Sequence, residues 1–465
     1  MNHNLAFRLL ALFRAKMFAA LRRLAPAKLA GKGKGNLVSM VTTDVELLEI
    51  FFAHTISPTV IAISTTLIYT VALLFLSPWF ALLLVVAHLF IGVVVPKLFA
   101  DALHGVGGRI RKESARLDDI VLDDMHGLEQ IIRFGRGEAQ LERIERSSRA
   151  LWAQRVELST RNATYGGLDH VIIVLVSAAA AFLTLALALT TNADMAAAVT
   201  ALVLVVSSFG PTLALSALPA SLTQTFASAR RLFALMDETP AVVEHGTLAP
   251  QYDGMRMEDV TFAYDSAAAP VLDDVTLDVP VSGILGLQGP SGRGKSTMLK
   301  LLMRYWDPQS GVVTLSGDTL PAVDAHARRR LQTMMSQETY LFDGTIADNL
   351  RIAAPEANDD EIREALRKAS ALRLVESLPQ GVETPVGELG GRLSEGERQR
   401  IGLARMFLRD ARLYLFDEPT SRLDSLNEAY ILQSINGLVE ESGAAVVLVS
   451  HRESTMKIAD EVRVV

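Results

Sequence analysis

The segment Gly289 to Ser296, GPSGRGKS, has the residue types and spacing to bind the phosphates of a nucleotide. It follows an apolar run and precedes a helical pattern, which is the setting of a P-loop. Glycines let backbone N–H groups turn toward phosphate oxygens, and a helix N-terminus adds its positive dipole end. We expect Lys295 to reach the β and γ phosphates and Ser296 to coordinate Mg²⁺. The predicted nucleotide contacts in this segment are Gly289, Pro290, Ser291, Gly292, Arg293, Gly294, Lys295, Ser296 and Thr297.

Two adjacent acids end a second apolar run, in the sequence LYLFDEP. We expect Asp417 to hold the magnesium shell and Glu418 to act as the general base on water. A purely structural acidic pair is the alternative, but adjacent acids at the end of a strand beside a P-loop favour catalysis.

These motifs require a layer of buried strands to position them. The short apolar runs GILGLQG, RLYLFDE and AAVVLVSH, bounded by turn residues, predict parallel strands at Gly283 to Gly289, Arg412 to Glu418 and Ala444 to His451. Helical patterns separate them, and Asn358 with Glu361 three residues later predicts the capped start of one helix. The half of the chain after Gly254 therefore reads as an α/β fold.

The first half is membrane-like. Half of all residues are hydrophobic, and Ile50 to Pro96 contains no Asp, Glu, Lys or Arg. A hydrocarbon core of about 30 Å needs about 20 apolar residues per helix. We predict four spans at about 55–76, 79–97, 170–190 and 195–220, with turns at Ser77 to Trp79 and around Asp194. Buried helices of a large soluble enzyme are the alternative, which two adjacent uncharged hairpins disfavour.

Basic residues set the orientation of the spans. The first 43 residues carry eight Lys or Arg and no acid, and residues 101–168 carry eleven, so both segments are predicted to lie in the cytoplasm. We do not interpret the basic start as a nucleic-acid surface. The net charge of −7 averages a basic half with an acidic half. With no cysteine in the sequence, disulfides and thiol catalysis within the chain are excluded.

The predicted organisation has three parts. Residues 1–229 form an all-α transmembrane domain, residues 230–254 form a linker marked by Pro240 and Gly246, and residues 255–465 form an α/β P-loop ATPase domain.

The order of these motifs resembles the ATP-binding cassette transporters, specifically exporter half-subunits, over nearly the whole chain. The resemblance implies that Tyr264 stacks on adenine and that Gln337 links magnesium and the attacking water to the membrane domain. It also implies that His451 contacts the γ-phosphate. Ser394 and Gly396 belong to the signature LSEGE, Asp424 to a loop that crosses the dimer interface, and Glu388 to a contact with the partner's cytoplasmic loops. ATP and Mg²⁺ are the implied cofactors.

Within the family, ALRRLAPAKL, GNLVSMVTTDVELLE and FFAHTISP most resemble the CydC-type subunit of the heterodimeric thiol exporter for cytochrome bd assembly. That resemblance implies export of cysteine or glutathione across a bacterial cytoplasmic membrane, with a second half-subunit as partner. A lipid or drug exporter half is the alternative, as is a truncated membrane-anchored ATPase without transport.

Two features depart from the family pattern. Exporter half-subunits have six spans, whereas four are predicted here, so we hypothesise an incomplete or naturally truncated chain that lacks the first two.

The second departure is Glu395, a carboxylate in the signature. A carboxylate in a first helical turn gains about 0.3–1 kcal/mol from the dipole, whereas a like charge about 5 Å away costs roughly 3 kcal/mol at an effective dielectric of about 20.

Repulsion would therefore turn Glu395 away from phosphate or weaken the ATP site that this signature completes. Because the resemblance implies that each signature faces the opposite subunit's P-loop, the affected site is the partner's. This asymmetry fits a heterodimer, and a homodimer with two tolerant sites is the alternative.

The implied mechanism is that ATP draws two cassettes together and that hydrolysis resets them. GNLVSMVTTDVELL and DMHGLEQIIRFG are expected to act as coupling helices near Gln337. Ser207 to Pro219 is a candidate for the substrate-facing wall, and ordinary helix packing is the alternative.

Overall fold

The chain folds as two compact units, Met1–Pro240 and Ala241–Val465. The computed structural model describes residues 2–29, 34–190, 195–265, 268–421 and 423–465. Most of the loop predicted around Asp194 lies outside the described residues.

The first unit is helical, with short turns, over its described residues. Its helices are α1 (Asn2–Leu24), α2 (Lys34–Ser39), α3 (Val45–Phe51), α4 (Ser57–Leu76), α5 (Pro78–Leu89), α6 (Val95–Ala102), α7 (Val106–His126), α8 (Leu128–Arg133), α9 (Gly137–Thr190), α10 (Met195–Ser207), α11 (Phe209–Ser216) and α12 (Leu218–Asp237). Segments of π-helix at Met40–Asp44, Phe52–Ile56 and Phe90–Val94 connect α2 to α3, α3 to α4 and α5 to α6.

Four helical stretches of the described residues are long and apolar enough to cross a membrane. They are Ser57–Leu76, Pro78–Ala102, Gly137–Leu189 and Met195–Asp237. Large apolar side chains such as Ile68, Phe75 and Phe182 are exposed on their outer faces. In a bilayer that exposure is favourable, because the helices satisfy their own backbone hydrogen bonds and lipid covers the side chains. Between the first two stretches only Ser77 is extended, and Pro78 begins the next helix.

The spans pack through a buried apolar cluster. Leu73, Phe80 and Leu84 of the first hairpin meet Val205 and Phe209 of the second. These contacts fix which helix faces point inward within this unit.

A buried ion cluster joins the helices beyond the spans. Asp44 is fully buried, and its Oδ1 accepts hydrogen bonds from Arg111 Nη1 at 3.0 Å and from Ser228 Oγ at 2.9 Å. Arg231 Nη1 lies 3.1 Å from Asp44 Oδ2. A buried carboxylate is tolerated only with such partners, so this cluster holds the π-helical segment against α7 and α12.

The second unit contains two sheets. Its strands are β1 (Met255–Phe262), β2 (Leu272–Val279), β3 (Gly283–Gln288), β4 (Ser310–Leu315), β5 (Asp318–Thr319), β6 (Gln332–Met335), β7 (Leu413–Asp417), β8 (Ala445–Val449) and β9 (Glu461–Val464). A four-stranded antiparallel sheet has the order β2-β1-β4-β5, and a five-stranded parallel sheet has the order β6-β7-β8-β3-β9.

Helices cover the parallel sheet. They are α13 (Lys295–Leu302), α14 (Ala325–Leu331), α15 (Ile346–Arg351), α16 (Asp359–Lys368), α17 (Leu372–Ser377), α18 (Glu395–Leu408), α19 (Ser425–Ser442) and α20 (Glu453–Met456). Short 3-10 helices lie at Leu320–Ala322, Gly381–Glu383 and Glu388–Gly390. Asn358 and Glu361 form the predicted capping box at the start of α16.

Alternate residues of the parallel strands enter different cores. On β7, Tyr414 and Phe416 pack in one cluster, whereas Leu413 and Leu415 pack in the other. Side chains of a strand alternate between its faces, so a strand that is apolar at every position must be covered on both sides. The unbroken apolar runs predicted this burial, and the fold class expected from the sequence is confirmed.

The segment between the two units begins later than the sequence suggested. Residues 230–237, which the sequence assigns to a linker, are the last turns of α12. Leu232 and Leu235 are buried there against Leu10 and Met17, and this packing extends the helix.

Further along, Glu244 is held by buried arginines. Arg328 Nη2 donates to Glu244 Oε1 at 2.6 Å and Arg304 Nη1 donates to Oε2 at 2.9 Å. Both guanidinium side chains are only 3% exposed. Burial raises the pKa of Glu244, but the hydrogen bond and charge of Arg328 and the charge of Arg304 outweigh it, so the pKa lies below its usual value.

We predict that Glu244→Gln lowers the free energy of unfolding of the second unit by about 3 kcal/mol, because buried Arg328 loses its carboxylate and buried Arg304 keeps only that of Asp307. Urea unfolding of the full chain measures this. The matched control is Glu258→Gln, whose pair with Arg256 spans 3.8 Å with both side chains 52% exposed. The control should change stability by less than about 0.5 kcal/mol. Equal effects of the two substitutions would contradict the prediction.

Candidate functional site

Strand order brings the chemically active segments to one edge of the parallel sheet. β8 lies between β3 and β7, and β6 pairs with the other side of β7. All four strands are parallel, so the segments that follow them emerge side by side. These segments carry the loop 289–296, Gln337, the acids Asp417 and Glu418, and His451.

The phosphate-binding loop depends on two left-handed glycines. Gly292 and Gly294 have φ of 83° and 86°, which an L side chain rarely adopts. At Gly294 a Cβ would also lie 2.4 Å from Leu272 Cδ2. The loop then enters α13 at Lys295, so the N-terminus of this helix opens directly behind the loop. Backbone N–H groups and a positive helix end together form an anion-binding setting.

Lys295 is held inside this loop. Its side chain is buried, and Nζ donates to the carbonyl oxygens of Gly289 and Pro290, both at 2.8 Å. An ammonium has three donors. One donor therefore remains for a phosphate oxygen while the other two keep the side chain over the loop.

Ser296 and Asp417 provide the oxygen ligands that suit Mg²⁺. Ser296 Oγ donates to Asp417 Oδ1 at 3.0 Å. Burial raises the pKa of Asp417 and the neighbouring Glu418 charge adds to this, while the hydrogen bond from Ser296 opposes it. Such a carboxylate is stabilised in its charged form by a nearby cation. No cage of three or more His, Cys, Asp or Glu side chains occurs among the described residues. Mg²⁺ is commonly bound by one or two protein groups plus phosphates, so the donor set fits it.

Glu418 directly follows β7 and is held in place by hydrogen bonds from the segments after β6 and β8. Its backbone has φ of 51°, and its N–H donates to the Val449 carbonyl at 3.0 Å. Gln337 Nε2 donates to Glu418 Oε2 at 3.1 Å, and His451 Nδ1 lies 3.3 Å from Glu418 Oε1. The carboxylate is therefore oriented from both sides. A carboxylate held this way can accept a proton from water.

An aromatic cluster lies beside the start of α13. The Tyr264 hydroxyl is 3.0 Å from Thr297 Oγ1, and the Tyr264 ring stands edge-on to Trp306 with centroids 5.3 Å apart. Lys300 Nζ lies 5.8 Å from the Tyr264 ring centroid. Nearly half of Tyr264 is exposed, so one face of the ring is accessible to a flat ligand.

Ser394 and Asp424 form hydrogen bonds with residues close to them in sequence. Ser394 caps α18 through a capping box: Glu397 N–H donates to Ser394 Oγ at 3.4 Å, and Ser394 N–H donates to Glu397 Oε2 at 2.7 Å. Asp424 caps α19 by accepting from the backbone of Leu426 and Asn427.

Gly396 and Glu395 lie in the first turn of α18, and Glu388 begins an exposed 3-10 helix. Among the described residues, no hydrogen bond or ion pair joins Ser394 or Asp424 to the loop 289–296.

Sequence reasoning missed Gln399. This side chain is buried on α18, and Nε2 donates to the Glu418 carbonyl at 3.1 Å. The signal was present, because Gln399 shares helical spacing with buried Leu403 and Met406. A polar group on an apolar helix face needs a partner, and here it stabilises the left-handed turn at Glu418.

The comparisons with protein families cover both units. Residues 2–212 match the ABC transporter transmembrane region, and residues 272–421 match the ABC transporter family. A solved structure, a bacterial Atm1-family ABC exporter with ATP bound, shares the fold with a TM-score of 0.88. At 22% identity it covers 100% of this chain and 81% of that one.

Three curated relatives match almost the full chain. A probable ABC transporter ATP-binding/permease protein of Haemophilus influenzae is 42% identical over 99% of this chain and 83% of its own length. The glutathione/L-cysteine transport system protein CydC of Escherichia coli is 30% identical over 97% and 76%. An ATP-dependent lipid A-core flippase of Desulfotalea psychrophila is 28% identical over 97% and 79%.

We predict that Tyr264→Ala raises the Kd for ATP by about 5- to 150-fold, because ring stacking on a base contributes about 1–3 kcal/mol. Tyr264→Phe is the matched control: it keeps the ring and removes only the hydroxyl that contacts Thr297. A fluorescent ATP analogue titrated into the full chain measures both. If Tyr264→Phe weakened binding as much as Tyr264→Ala, the hydroxyl and not the ring would be the ligand contact.

Proposed function

The chain belongs to the ABC transporter family as an exporter half with fused membrane and ATPase regions, and from this premise we propose which residues hydrolyse ATP and what is exported. Members of this family couple ATP hydrolysis to transport. The observation that carries the proposal is the set of contacts around Glu418, since both oxygens of its carboxylate face a polar side chain that could orient it toward water.

In the proposed reaction, Glu418 takes a proton from the attacking water as the water oxygen bonds to the γ-phosphorus, while the bond from that phosphorus to the oxygen bridging to the β-phosphate breaks and ADP leaves. Gln337 orients the same water through the amide that now bonds Glu418, and His451 contacts the γ-phosphate. Lys295 and the loop N–H groups hold the phosphate oxygens. Mg²⁺, bound through Ser296 and Asp417, would neutralise charge between the phosphates. Tyr264 holds the base, and the N–H groups at the start of α13 face the phosphates.

The second ATP site of the dimer is proposed to be the weaker one. This chain would contribute to that site the start of α18, including Ser394 and Gly396, and Asp424. Two N–H groups at this helix start are already engaged within the capping box of Ser394 and Glu397. Glu395 adds a second carboxylate to the first turn, and negative charge there opposes phosphate binding. Such asymmetry supports a heterodimer with a different second half-subunit.

We predict that Glu418→Gln abolishes steady-state ATP hydrolysis of the complex, with a loss of at least about 100-fold. ATP binding should persist, because the loop and Lys295 are untouched. The complex is purified from its native membrane through a tag on this chain. Survival of about half the activity would mean that both sites hydrolyse ATP, and the asymmetric proposal would then fail.

For the exported solute we propose a small polar thiol such as cysteine or glutathione. Polar side chains are buried inside the predicted spans. The His88 ring contacts Thr66 Oγ1 at 2.8 Å, Thr212 Oγ1 at 3.0 Å and Ser208 Oγ at 2.9 Å. Ser216 donates to Asp169, 47 residues away on the other helix of the second hairpin. Polar groups in spans are costly and commonly mark a solute path, and three of these, Ser208, Thr212 and Ser216, belong to the segment predicted as substrate-facing.

Lipid export is the alternative supported by the flippase similarity. An anionic lipid headgroup would require basic side chains in the spans, but the four predicted spans contain a single one, Lys97 at the last residue of the second. Hydroxyl and imidazole groups instead suit an uncharged or zwitterionic solute. This contrast favours a small polar solute over a lipid, the similarity to CydC supports a thiol, and the scarcity of basic side chains favours cysteine over anionic glutathione.

We predict that cysteine stimulates ATP hydrolysis of the complex in lipid nanodiscs severalfold, with serine as the matched control lacking sulfur. Glutathione should stimulate less. The nanodisc lipid is varied in a parallel series that contains or omits lipopolysaccharide. Stimulation by lipopolysaccharide and none by either thiol would replace thiol export with lipid export. The expected location is the cytoplasmic membrane of a bacterium, with the ATPase unit in the cytoplasm.

A further inference from the structure

A buried carboxylate outside the nucleotide site joins the two segments that follow β7 and β8. Glu428 lies on the first turns of α19 and is only 6% exposed. Its Oε1 accepts from Thr455 Oγ1 at 2.7 Å and from Ser454 Oγ at 3.0 Å, and its Oε2 accepts from Arg452 Nη1 at 2.8 Å. All three donors belong to the segment immediately after His451.

Arg452 extends the connection back toward the acids. Its Nη2 donates to the Ser421 carbonyl at 3.2 Å, and Ser421 N–H donates in turn to the Glu418 carbonyl at 3.3 Å. Thr420 and Thr455, both fully buried, approach within 3.3 Å through their hydroxyls. Thr420 and Ser421 are therefore linked by hydrogen bonds to the segment from Ser450 to Met456. We call these contacts, together with those of Glu428, the junction.

Charge balance makes Glu428 the centre of this junction. Burial raises the pKa of Glu428. The hydrogen bonds from Thr455 and Ser454 and the charge of Arg452 lower it by more than burial raises it, so the pKa lies below its usual value. The group is thus ionised at neutral pH. A buried ionised carboxylate that accepts from three donors resists displacement, because removing a donor leaves part of the buried charge uncompensated.

The junction also lies between two elements that are proposed to contribute to nucleotide sites, the start of α19 and the segment that carries His451. Glu428 is one helical turn beyond Asp424, which caps α19, and its donors adjoin His451, whose side chain is 55% exposed. Among the described residues, the hydrogen-bond partner of the His451 side chain is Glu418, at 3.3 Å. The backbone of His451 is held on one side by Ser450, whose N–H donates to the Leu287 carbonyl, and on the other by the neighbours that bond Glu428.

We propose that Glu428 is a positioning residue for ATP hydrolysis, which acts through Arg452 to keep His451 at Glu418 and to couple His451 to the Asp424 loop. The inference rests on the proposed function of Glu418 and His451. Glu428 touches neither nucleotide nor water. Its role is to transmit the position of the loop that carries Asp424 to the histidine that meets the γ-phosphate.

A purely structural role for the same contacts predicts a different outcome. Glu428 would then affect stability or nucleotide affinity without affecting the catalytic step. The two roles are separated by which of kcat and KM changes and by the dependence on His451.

The test uses the complex purified from its native membrane, with ATP hydrolysis measured across ATP concentrations. Glu428→Gln should lower kcat about tenfold and leave KM within about twofold. In a His451→Ala background the same substitution should lower kcat by less than about twofold, because the side chain that it positions is gone. Glu440→Gln, an exposed carboxylate on the same helix, is the matched control and should keep wild-type kcat.

Arg452→Lys provides a second variant in case Glu428→Gln fails to fold. Lysine keeps the charge but lacks the guanidinium fork that reaches both Glu428 and the Ser421 carbonyl, so kcat should fall about threefold at unchanged KM. Wild-type kcat in either folded variant, or a further tenfold loss in the His451→Ala background, overturns the proposal. If the wild-type complex hydrolyses no ATP, the proposed function itself fails, which is a separate result.

Discussion

The site depends on one constrained residue, Glu418, where the backbone leaves β7 in a left-handed conformation. For a residue with a side chain this conformation costs roughly 1–2 kcal/mol. The surrounding structure offsets that cost through the Val449 carbonyl, the buried amide of Gln399 and the side chains of Gln337 and His451. Because the turn aims the carboxylate along the sheet edge, the same strain that is unfavourable locally places the proposed general base.

The rigidity that makes this possible comes from the parallel sheet. β7 and β8 are buried at every position, and their side chains fill two separate cores. Close packing resists small displacements, so the ends of β3, β6, β7 and β8 keep a fixed spacing. The segments that follow them carry the polar groups and can respond to nucleotide. The membrane unit is held together differently. There the buried ion cluster at Asp44 joins helices, and lipid would cover the apolar outer faces of those helices.

The features of the fold that depend on residues close together in the sequence could be predicted from the sequence alone. Unbroken apolar runs indicated doubly covered strands, glycine spacing indicated a tight loop leading into α13, and Asn358 with Glu361 indicated a helix start. The missed groups owe their roles to distant partners: Gln399 bonds a residue 19 positions away, Arg452 one 24 positions away, and Arg111 one 67 positions away. No periodicity encodes such pairs. The end of α12 was misplaced because Leu232 and Leu235 extend the helix through contacts with α1. The roles of the signature and of Asp424 stay predictions, since a second subunit would have to meet them.

The most direct test of the central claim, that this chain's own P-loop is the productive site, is vanadate trapping of nucleotide in the purified complex. Photoreactive azido-ATP is trapped, cross-linked and mapped by peptide mass spectrometry, and the trapped nucleotide is counted per complex. The account predicts one trapped nucleotide, with the label on this chain's nucleotide-binding residues. Two trapped nucleotides per complex, or a label confined to the partner subunit, would contradict it.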